Sequence, residues 1–215
     1  MAYRTVNMEE DPRSGQFAYF RAMADPWSSI TVEVDITEFH AALDGRPFFL
    51  SFLYALTRAA NAVPELRRRL LDGQVVEFDR CCPSYTAMKD SGVYVYCLVD
   101  SGLLPYEDFL ADGKRRQAEA LKGEGLAESG DPLGNFFVSC VPWLAYTQLK
   151  HPMTGPEDTN PRFSWGKFTE MNGRITMPVT IFVNHALADG LHIARFYENL
   201  DQELAEIVKQ IKNSK

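Results

Sequence analysis

The stretch Pro178-Val-Thr-Ile-Phe-Val183, followed directly by Asn184-His185-Ala-Leu-Ala-Asp189-Gly190, decides how the chain folds around its candidate site. The first six residues are mostly apolar and β-branched, which predicts a buried strand. Beyond Gly190, apolar residues recur at three- and four-residue spacing as far as Ile211, which predicts a C-terminal helix with one buried face. His185 therefore lies at a strand-to-helix junction, where a neutral imidazole can accept a proton at neutral pH.

Spacing alone leaves several interpretations of this junction open. His185 is either a general base or a structural histidine whose hydrogen bonds are satisfied, and in the second case Asp189 simply caps the helix. A metal site built from His185, Asp189 and His192 is a further alternative, which requires the intervening loop to be helical.

The rest of the chain shows an α+β pattern in which strands outnumber helices. Residues 30–36 alternate apolar and polar side chains, which predicts a strand with one buried face. Asp72-Gly73 and Asn172-Gly173 predict tight hairpin turns, the second between strands at 163–170 and 174–183. Further strands are predicted at 84–88, 93–99, 136–140 and 143–149, with helices over 47–63 and 105–121. We expect one large sheet packed by helices.

Composition narrows the classes of function. The chain has 215 residues, 46% of them hydrophobic, which predicts one domain over residues 1–215. A formal net charge of −7 argues against a nucleic-acid partner, because phosphate neutralisation needs clustered Lys and Arg. The longest apolar stretch, residues 47–56, falls far short of the roughly 20 residues of a membrane-spanning helix. Residues 1–16 lack the apolar core of a signal peptide, so we expect a soluble, cytoplasmic protein.

The cysteines predict neither a metal site nor a disulfide framework. Cys81, Cys82, Cys97 and Cys140 contain no C-x-x-C pair, and two adjacent cysteines do not easily bind one tetrahedral ion. We interpret them as reduced, partly buried thiols.

Several motifs together resemble one enzyme family. His185-x-x-x-Asp189-Gly190, followed by Leu-His-Ile-Ala-Arg-Phe, is similar to the active-site motif of chloramphenicol acetyltransferases. Phe137-Val-Ser-Cys-Val-Pro-Trp143 resembles the family segment with a serine three residues before Pro-Trp. Pro64-Glu-Leu-Arg67, with the hairpin turn after it, resembles another family segment. Near the N-terminus, Arg13, Phe17 and Phe20 occupy the places of the family's arginine and aromatic residues.

The resemblance implies a CoA-dependent acyltransferase fold, which is a two-layer sandwich of a large mixed β-sheet and helices. It also implies a homotrimer with active sites between subunits, so that His185 faces a neighbour's pocket. The co-substrate would be acetyl-CoA and the acceptor a hydroxyl of chloramphenicol or a related alcohol. Transfer would be direct, with no metal, and antibiotic resistance would be one biological role.

The resemblance also assigns catalytic roles. His185 would take the proton of the acceptor hydroxyl, and Ser139 would donate a hydrogen bond to the oxyanion. Ser164, which stands where the family has threonine, would hold a water near the intermediate. Asp189 would form a structural ion pair with Arg13. Without the resemblance, Ser139 is equally a strand serine bonded to backbone, and Arg13 a solvated surface charge.

Two sets of binding residues follow in the same way. In Pro161-Arg-Phe-Ser164-Trp-Gly-Lys167-Phe168, the lysine would approach the nucleotide phosphate and the aromatic would flank the adenine, with Trp143 on the same side. An ordinary exposed hairpin is the alternative interpretation of that segment. The acceptor would contact four residues that depart from the usual family pattern: Phe20, Val95, Leu126 and His151.

One further departure and two competing functions remain. Asn184 stands where the family has the first of two tandem histidines. Because the catalytic position is the second, we expect this replacement to affect the support of the loop more than the chemistry. A dihydrolipoyl acyltransferase core would share the motif and the trimer, but no lipoyl domain or Ala/Pro-rich linker precedes residue 30. A non-catalytic trimeric binding protein is the alternative from a different class.

Overall fold

A computed structural model describes residues 1–99, 104–123 and 131–214. In chain order the strands are β1 (Tyr3–Val6), β2 (Trp27–Asp35), β3 (Arg68–Leu71), β4 (Gln74–Phe78), β5 (Cys82–Met88), β6 (Tyr94–Leu98), β7 (Asn135–Val141), β8 (Arg162–Gly166), β9 (Thr169–Met171) and β10 (Arg174–Asn184). The α-helices are α1 (Ser14–Arg21), α2 (Thr37–Ala42), α3 (Phe48–Asn61), α4 (Tyr106–Ala120) and α5 (Gly190–Asn213).

The strands form one large mixed sheet and one small sheet. The large sheet has the order β2-β10-β8-β7-β5-β6, and β9 pairs with one end of β10. The pairs β5–β7 and β7–β8 are parallel, whereas the other pairs are antiparallel. The small sheet is antiparallel with the order β1-β4-β3. The predicted α+β class with a large mixed sheet is confirmed.

The hydrophobic core lies between the large sheet and the helices. Phe163 and Trp165 on β8 pack against Phe196 of α5 and Phe52 of α3, with ring centroids 5.1 and 5.0 Å apart. Side chains alternate along a strand, so Ser164 points to the opposite face. The apolar stripe predicted for α5 is buried as expected, and its members are Ile193, Phe196, Leu200, Leu204, Ile207 and Ile211.

Both predicted hairpin turns are present, because their residues tolerate left-handed backbone. Asp72 and Gly73 have φ values of 50° and 79°, and Asn172 and Gly173 have 54° and 74°. Positive φ at both central positions is the geometry that suits the twist of a hairpin.

Two strand predictions are wrong near the site. Residues 143–149 form no strand, because this segment crosses the sheet face opposite the helices, where Thr180 Oγ1 donates to the Tyr146 hydroxyl at 3.1 Å. The strand predicted for 163–170 is interrupted at Lys167, whose N–H donates to the Leu144 carbonyl instead of a neighbouring strand. The N-terminal elements β1 and α1 were not predicted.

The described part of the chain contains no helix with the length and apolar character needed to cross a bilayer.

The contact between α5 and the sheet should dominate stability. Phe196 is fully buried against Phe163, so Phe196→Ala should lower the free energy of unfolding by about 3–5 kcal/mol through lost burial and a cavity. The neighbouring Arg195 is exposed, and Arg195→Ala should change it by less than about 0.5 kcal/mol. Denaturant unfolding at one fixed protein concentration measures both. Equal effects of the two substitutions would contradict this account of the core.

Candidate active site

His185 extends the ladder of β10 by one residue. Its N–H donates to the carbonyl of Pro26 at 2.6 Å, in register with the pair formed by Asn184 and Trp27. The imidazole stacks on Phe20 of α1, with ring centroids 3.8 Å apart and planes inclined by 19°. Nδ1 is buried without a hydrogen-bond partner in the described chain, whereas Nε2 is not among the buried atoms. His185 is therefore not a satisfied structural histidine, and Nε2 is the nitrogen left open to a ligand.

Arg13 clamps the junction that carries His185. Its guanidinium donates to the His185 carbonyl at 3.1 Å and forms an ion pair with the Asp189 carboxylate. The two side chains are only 11% and 30% exposed, so Arg13 is not a solvated surface charge. Burial alone would raise the pKa of Asp189, but electrostatic interactions with His192 and Arg13, and hydrogen bonds from Arg13 and the Leu191 N–H, lower it overall.

Asp189 is at the same time the N-cap of α5. Its carboxylate accepts from the N–H of Leu191 at 3.1 Å, and its own N–H donates to Nδ1 of His192 at 3.0 Å. This reciprocal capping box satisfies orphan donors at the helix start. Because Nδ1 of His192 accepts a hydrogen bond, it is not directed at a metal. Within the described residues, no group of three His, Cys, Asp or Glu side chains could hold a metal ion.

Ser139 lines a groove of about 1380 Å³. The groove runs over β5, β6 and β7 and is bounded by Trp143, His151 and Arg162. Ser139 is half-buried, and its hydroxyl makes no hydrogen bond to another described residue. The alternative of a strand serine bonded to backbone is therefore wrong, and the hydroxyl is available as a donor.

Ser139 belongs to a row of hydroxyls on the sheet face opposite the helices. In the strand register Ser139 is the partner of Ser164, Ser164 of Thr180, and Thr180 of Thr31. Ser164 is fully buried, and its Oγ lies 2.9 Å from Nε2 of His151. Burial, and then the charge of Arg162, lower the pKa of His151 to about 4. This imidazole is therefore neutral at neutral pH.

His185 and Ser139 are separated within one chain. His185 lies five residues beyond Thr180 along an extended backbone, which is about 17 Å. Ser139 lies two strands to the side of Thr180, which is about 10 Å. The two residues are thus about 20 Å apart, far beyond the reach of either side chain.

The segment predicted to bind the nucleotide lies at the end of β8. Lys167 is exposed, and Phe168 contacts His40 and Phe48 with ring centroids 5.1 and 5.9 Å away. The exposed Trp143 lies next to Leu144, whose carbonyl accepts from Lys167. A side chain at Gly166 would meet that carbonyl at 2.5 Å, so only glycine allows this close approach. The backbone of Lys167 therefore lies beside the segment of Trp143, which lines the groove.

The four predicted acceptor contacts have different locations. His151 lines the groove, and Phe20 covers the imidazole of His185. The prediction that Val95 contacts the acceptor is wrong, because Val95 is 5% exposed and belongs to the core. Side chains alternate along β6, so Tyr94 and Tyr96 line the groove instead. Leu126 lies outside the described residues.

Sequence reasoning missed one ion pair near the groove and the partners of Asn184. Arg162 forms a nearly buried ion pair with Asp158, with N–O distances of 2.6 and 3.2 Å. A charged residue in an otherwise buried strand, four residues after an aspartate, was the available signal. Asn184 donates to the carbonyls of Pro156 and Asp158 at 3.1 and 3.3 Å, so it fixes the segment that carries this ion pair. No sequence signal indicated that contact.

Comparisons with known proteins identify the class. A family model for chloramphenicol acetyltransferase matches residues 1–201. A chloramphenicol acetyltransferase from Klebsiella sp. is 30% identical over 205 residues, which is 93% of each chain. The chain belongs to the chloramphenicol acetyltransferase family, as the resemblance predicted.

Solved structures agree on the fold. A chloramphenicol acetyltransferase structure with 27% sequence identity superposes with a TM-score of 0.82 and covers 94% of this chain and all of its own. A probable dihydrolipoamide acetyltransferase from Listeria monocytogenes is 13% identical, has a TM-score of 0.68, and covers 95% of this chain and 94% of its own. The second similarity concerns the fold alone.

The ion pair of Arg13 and Asp189 should be energetically coupled. Arg13→Gln and Asp189→Asn each leave one buried charge without its partner, while Asn preserves the helix cap. The double variant should be more stable than the sum of the single losses predicts, with a coupling of about 1–3 kcal/mol. Unfolding free energies of the four proteins at one concentration measure it. Additivity within about 0.5 kcal/mol would rule out a working ion pair.

His151 should make stability depend on pH. Its pKa is about 4 in the folded protein and about 6.5 when unfolded, so the unfolded chain binds more protons between these values. Its contribution is complete above pH 6.5 and is lost as the pH falls towards 4. Relative to His151→Leu, the wild type should lose on the order of 1–2 kcal/mol between pH 7 and pH 5. A pH-independent difference in unfolding free energy would contradict the buried, neutral imidazole.

Proposed function

We propose that this protein transfers the acetyl group of acetyl-CoA to a hydroxyl of chloramphenicol or a related small alcohol. The observation that carries the proposal is the environment of His185. Arg13 fixes its backbone, Phe20 fixes its ring plane, and Nε2 stays open. A general base requires this combination of a fixed ring and an accessible, unprotonated nitrogen.

We propose that the working unit is a homotrimer in which each active site lies between two subunits. The separation of about 20 Å between His185 and Ser139 supports this arrangement, because one chain cannot bring both to the same reacting carbon. His185 of one subunit would face the groove of its neighbour, where Ser139 offers an unpaired hydroxyl. Exposed apolar residues, including Tyr19, Trp143 and Leu144, supply surface for such contacts.

In the proposed reaction, Nε2 of His185 takes the proton of the acceptor hydroxyl as the oxygen attacks the thioester carbonyl. Ser139 donates a hydrogen bond to the oxyanion of the tetrahedral intermediate. The C–S bond then breaks, the acetyl ester leaves, and the imidazolium returns its proton to the CoA thiolate. Arg13 and Asp189 position the imidazole without exchanging protons with it. Ser164, buried beneath His151, would act on the intermediate only through that side chain or a water.

Acetyl-CoA would enter where Trp143 lines the groove, with Lys167 beside that segment. Lys167 is an exposed cation in a chain whose net charge is −7, so it is suited to a nucleotide phosphate. Phe168 offers an exposed ring edge for the adenine. A cytoplasmic location and a role in chloramphenicol resistance belong to the same proposal, supported by four free thiols that suit a reducing compartment.

Mixing of variant subunits tests the catalytic roles of His185 and Ser139 and the proposal that two subunits share each active site. His185→Ala should lower kcat by about 10²–10⁴ and Ser139→Ala by about 10²–10³, measured as thiol release from acetyl-CoA with chloramphenicol. Co-expressed subunits of the two variants should recover about a quarter of wild-type activity, because random assembly pairs an intact His185 with an intact Ser139 at about that fraction of interfaces.

The control co-expresses His185→Ala with a subunit carrying both substitutions, which should recover nothing. If the two single variants recovered no activity together, the complete site would lie within one chain, which would contradict an active site shared between subunits. If the wild type released no thiol while acetyl-CoA still raised its Tm, the protein would be a non-catalytic binder.

A further inference from the structure

The small sheet packs against the junction that carries His185. Leu70 and Val75, which are register partners on β3 and β4, form a buried cluster with Leu187, two residues beyond His185 in that junction. Phe17 of α1 packs against the same cluster, which is separate from the main core. The junction, α1 and the small sheet therefore meet at one place.

Asp11 adds an ionic contact between α1 and the small sheet. Its Oδ2 lies 3.0 Å from Nη1 of Arg68, the first residue of β3, and both side chains are only 10% exposed. Its Oδ1 accepts the backbone N–H of Arg13 at 2.9 Å. The Asp11 carbonyl accepts the N–H of Ser14, where α1 begins, at 2.9 Å. Asp11 therefore links the backbone at Arg13 to the small sheet.

Arg68 depends on Asp11 for its charge balance. It is the register partner of Glu77 on β4, and its Nε lies 3.5 Å from the Glu77 carboxylate. That carboxylate is shared, because it also pairs with Arg4 at 3.2 Å and with Arg67 at 3.6 Å. One carboxylate does not balance three guanidinium groups, and a nearly buried charge is costly unless it is paired. Asp11 supplies the second carboxylate of this cluster.

The position of the Arg13 guanidinium depends on its backbone. Its two terminal nitrogens contact the His185 carbonyl and the Asp189 carboxylate. Its Nε is buried and has no hydrogen-bond partner in the described chain. The side chain is therefore held by the junction at its tip and, through the backbone, by Asp11. Because α1 begins directly after Arg13 and places Phe20 against the imidazole, a shift at Arg13 would disturb both contacts of His185.

We propose that Asp11 is a positioning residue for His185, which acts through Arg13 by linking its backbone to Arg68. The inference rests on the proposed function, in which His185 is the general base. Asp11 is not among the described residues that line the groove, so its loss leaves the walls of the groove unchanged. A displacement of a catalytic group by about 1 Å can cost on the order of 10² in rate. Loss of Asp11 should therefore lower kcat and leave KM nearly unchanged.

Steady-state kinetics test this role. Thiol release from acetyl-CoA with chloramphenicol is measured with each substrate varied, at a temperature below the Tm of every variant. Asp11→Ala should lower kcat by about tenfold to a hundredfold, with both KM values within about twofold of the wild type. Asp11→Asn keeps an acceptor for the Arg13 N–H, so its kcat should stay within about threefold of the wild type.

Double variants show whether Asp11 acts through Arg13. In an Arg13→Gln background, Asp11→Ala should lower kcat by less than about twofold, because the residue through which it acts is already lost. If Asp11→Ala does not fold, Arg68→Met takes its place in the same cycle, since it keeps the apolar stem and removes the ionic link. Glu10→Ala is the matched control: it removes an adjacent, exposed carboxylate and should leave kcat and KM within about twofold.

The position of the imidazole is also measured without turnover. The four histidines are isotope-labelled at Cε1, and the NMR signal of His185 is assigned by its loss in His185→Ala. Because the imidazole stacks on Phe20 at 3.8 Å, this signal responds to any displacement between the two rings. It should move in Asp11→Ala and in Arg13→Gln, and keep its position in Glu10→Ala.

An unmoved signal in Asp11→Ala, or kcat losses that add fully in the double variant, would overturn the role of Asp11 and leave the proposed function standing. A raised KM with unchanged kcat would do the same. If the wild type released no thiol while the signal moved as expected, the proposed function alone would fail, and the positioning of the imidazole by Asp11 would be supported.

Discussion

The register of the large sheet is the constraint on which the rest of the site depends. β10 is paired on both sides, and its ladder continues through His185 to Pro26, so the backbone cannot turn the imidazole back over the sheet. Ser139 is fixed two strands away in the same ladder. Because main-chain hydrogen bonds set both positions, the separation of base and hydroxyl is a property of the fold. In the proposed trimer, each His185 would instead face the groove of a neighbouring subunit.

Within this frame, the junction after β10 is stiffened from three directions. Arg13 binds the His185 carbonyl and the Asp189 carboxylate, Asn184 ties the junction to the segment at 156–158, and Phe20 lies against the imidazole. The polar groups of Arg13, Asp189 and Asn184 would be costly to bury without these partners. Asp189 serves both the cap of α5 and the ion pair with Arg13.

The groove carries polar groups that are nearly removed from water. A histidine covers the buried Ser164, and an ion pair of Arg162 and Asp158 lies nearby, nearly removed from water. Such groups are tolerated because each has a hydrogen-bonded partner. Together they make this part of the groove polar, whereas Tyr94 and Tyr96 line another part with aromatic rings. The resemblance singled out His151 as a departure from the family pattern, but only the contacts show that its ring covers Ser164.

The sequence by itself determined the class of fold, the hairpin turns and the buried face of α5, and its ordered motifs made His185, Asp189 and Ser139 the candidates for the site, because periodicity, turn residues and motifs are local properties. It failed at residues 143–149 and at Lys167, where a cross-sheet contact overrides strand propensity. It also misplaced Val95, whose direction depends on strand register. Tertiary structure alone decided which residues meet: Phe20 on His185, His151 on Ser164, and Ser139 apart from His185. The physical reason is that side-chain encounters between distant segments depend on pairing register and chain crossing, which no short stretch of sequence encodes.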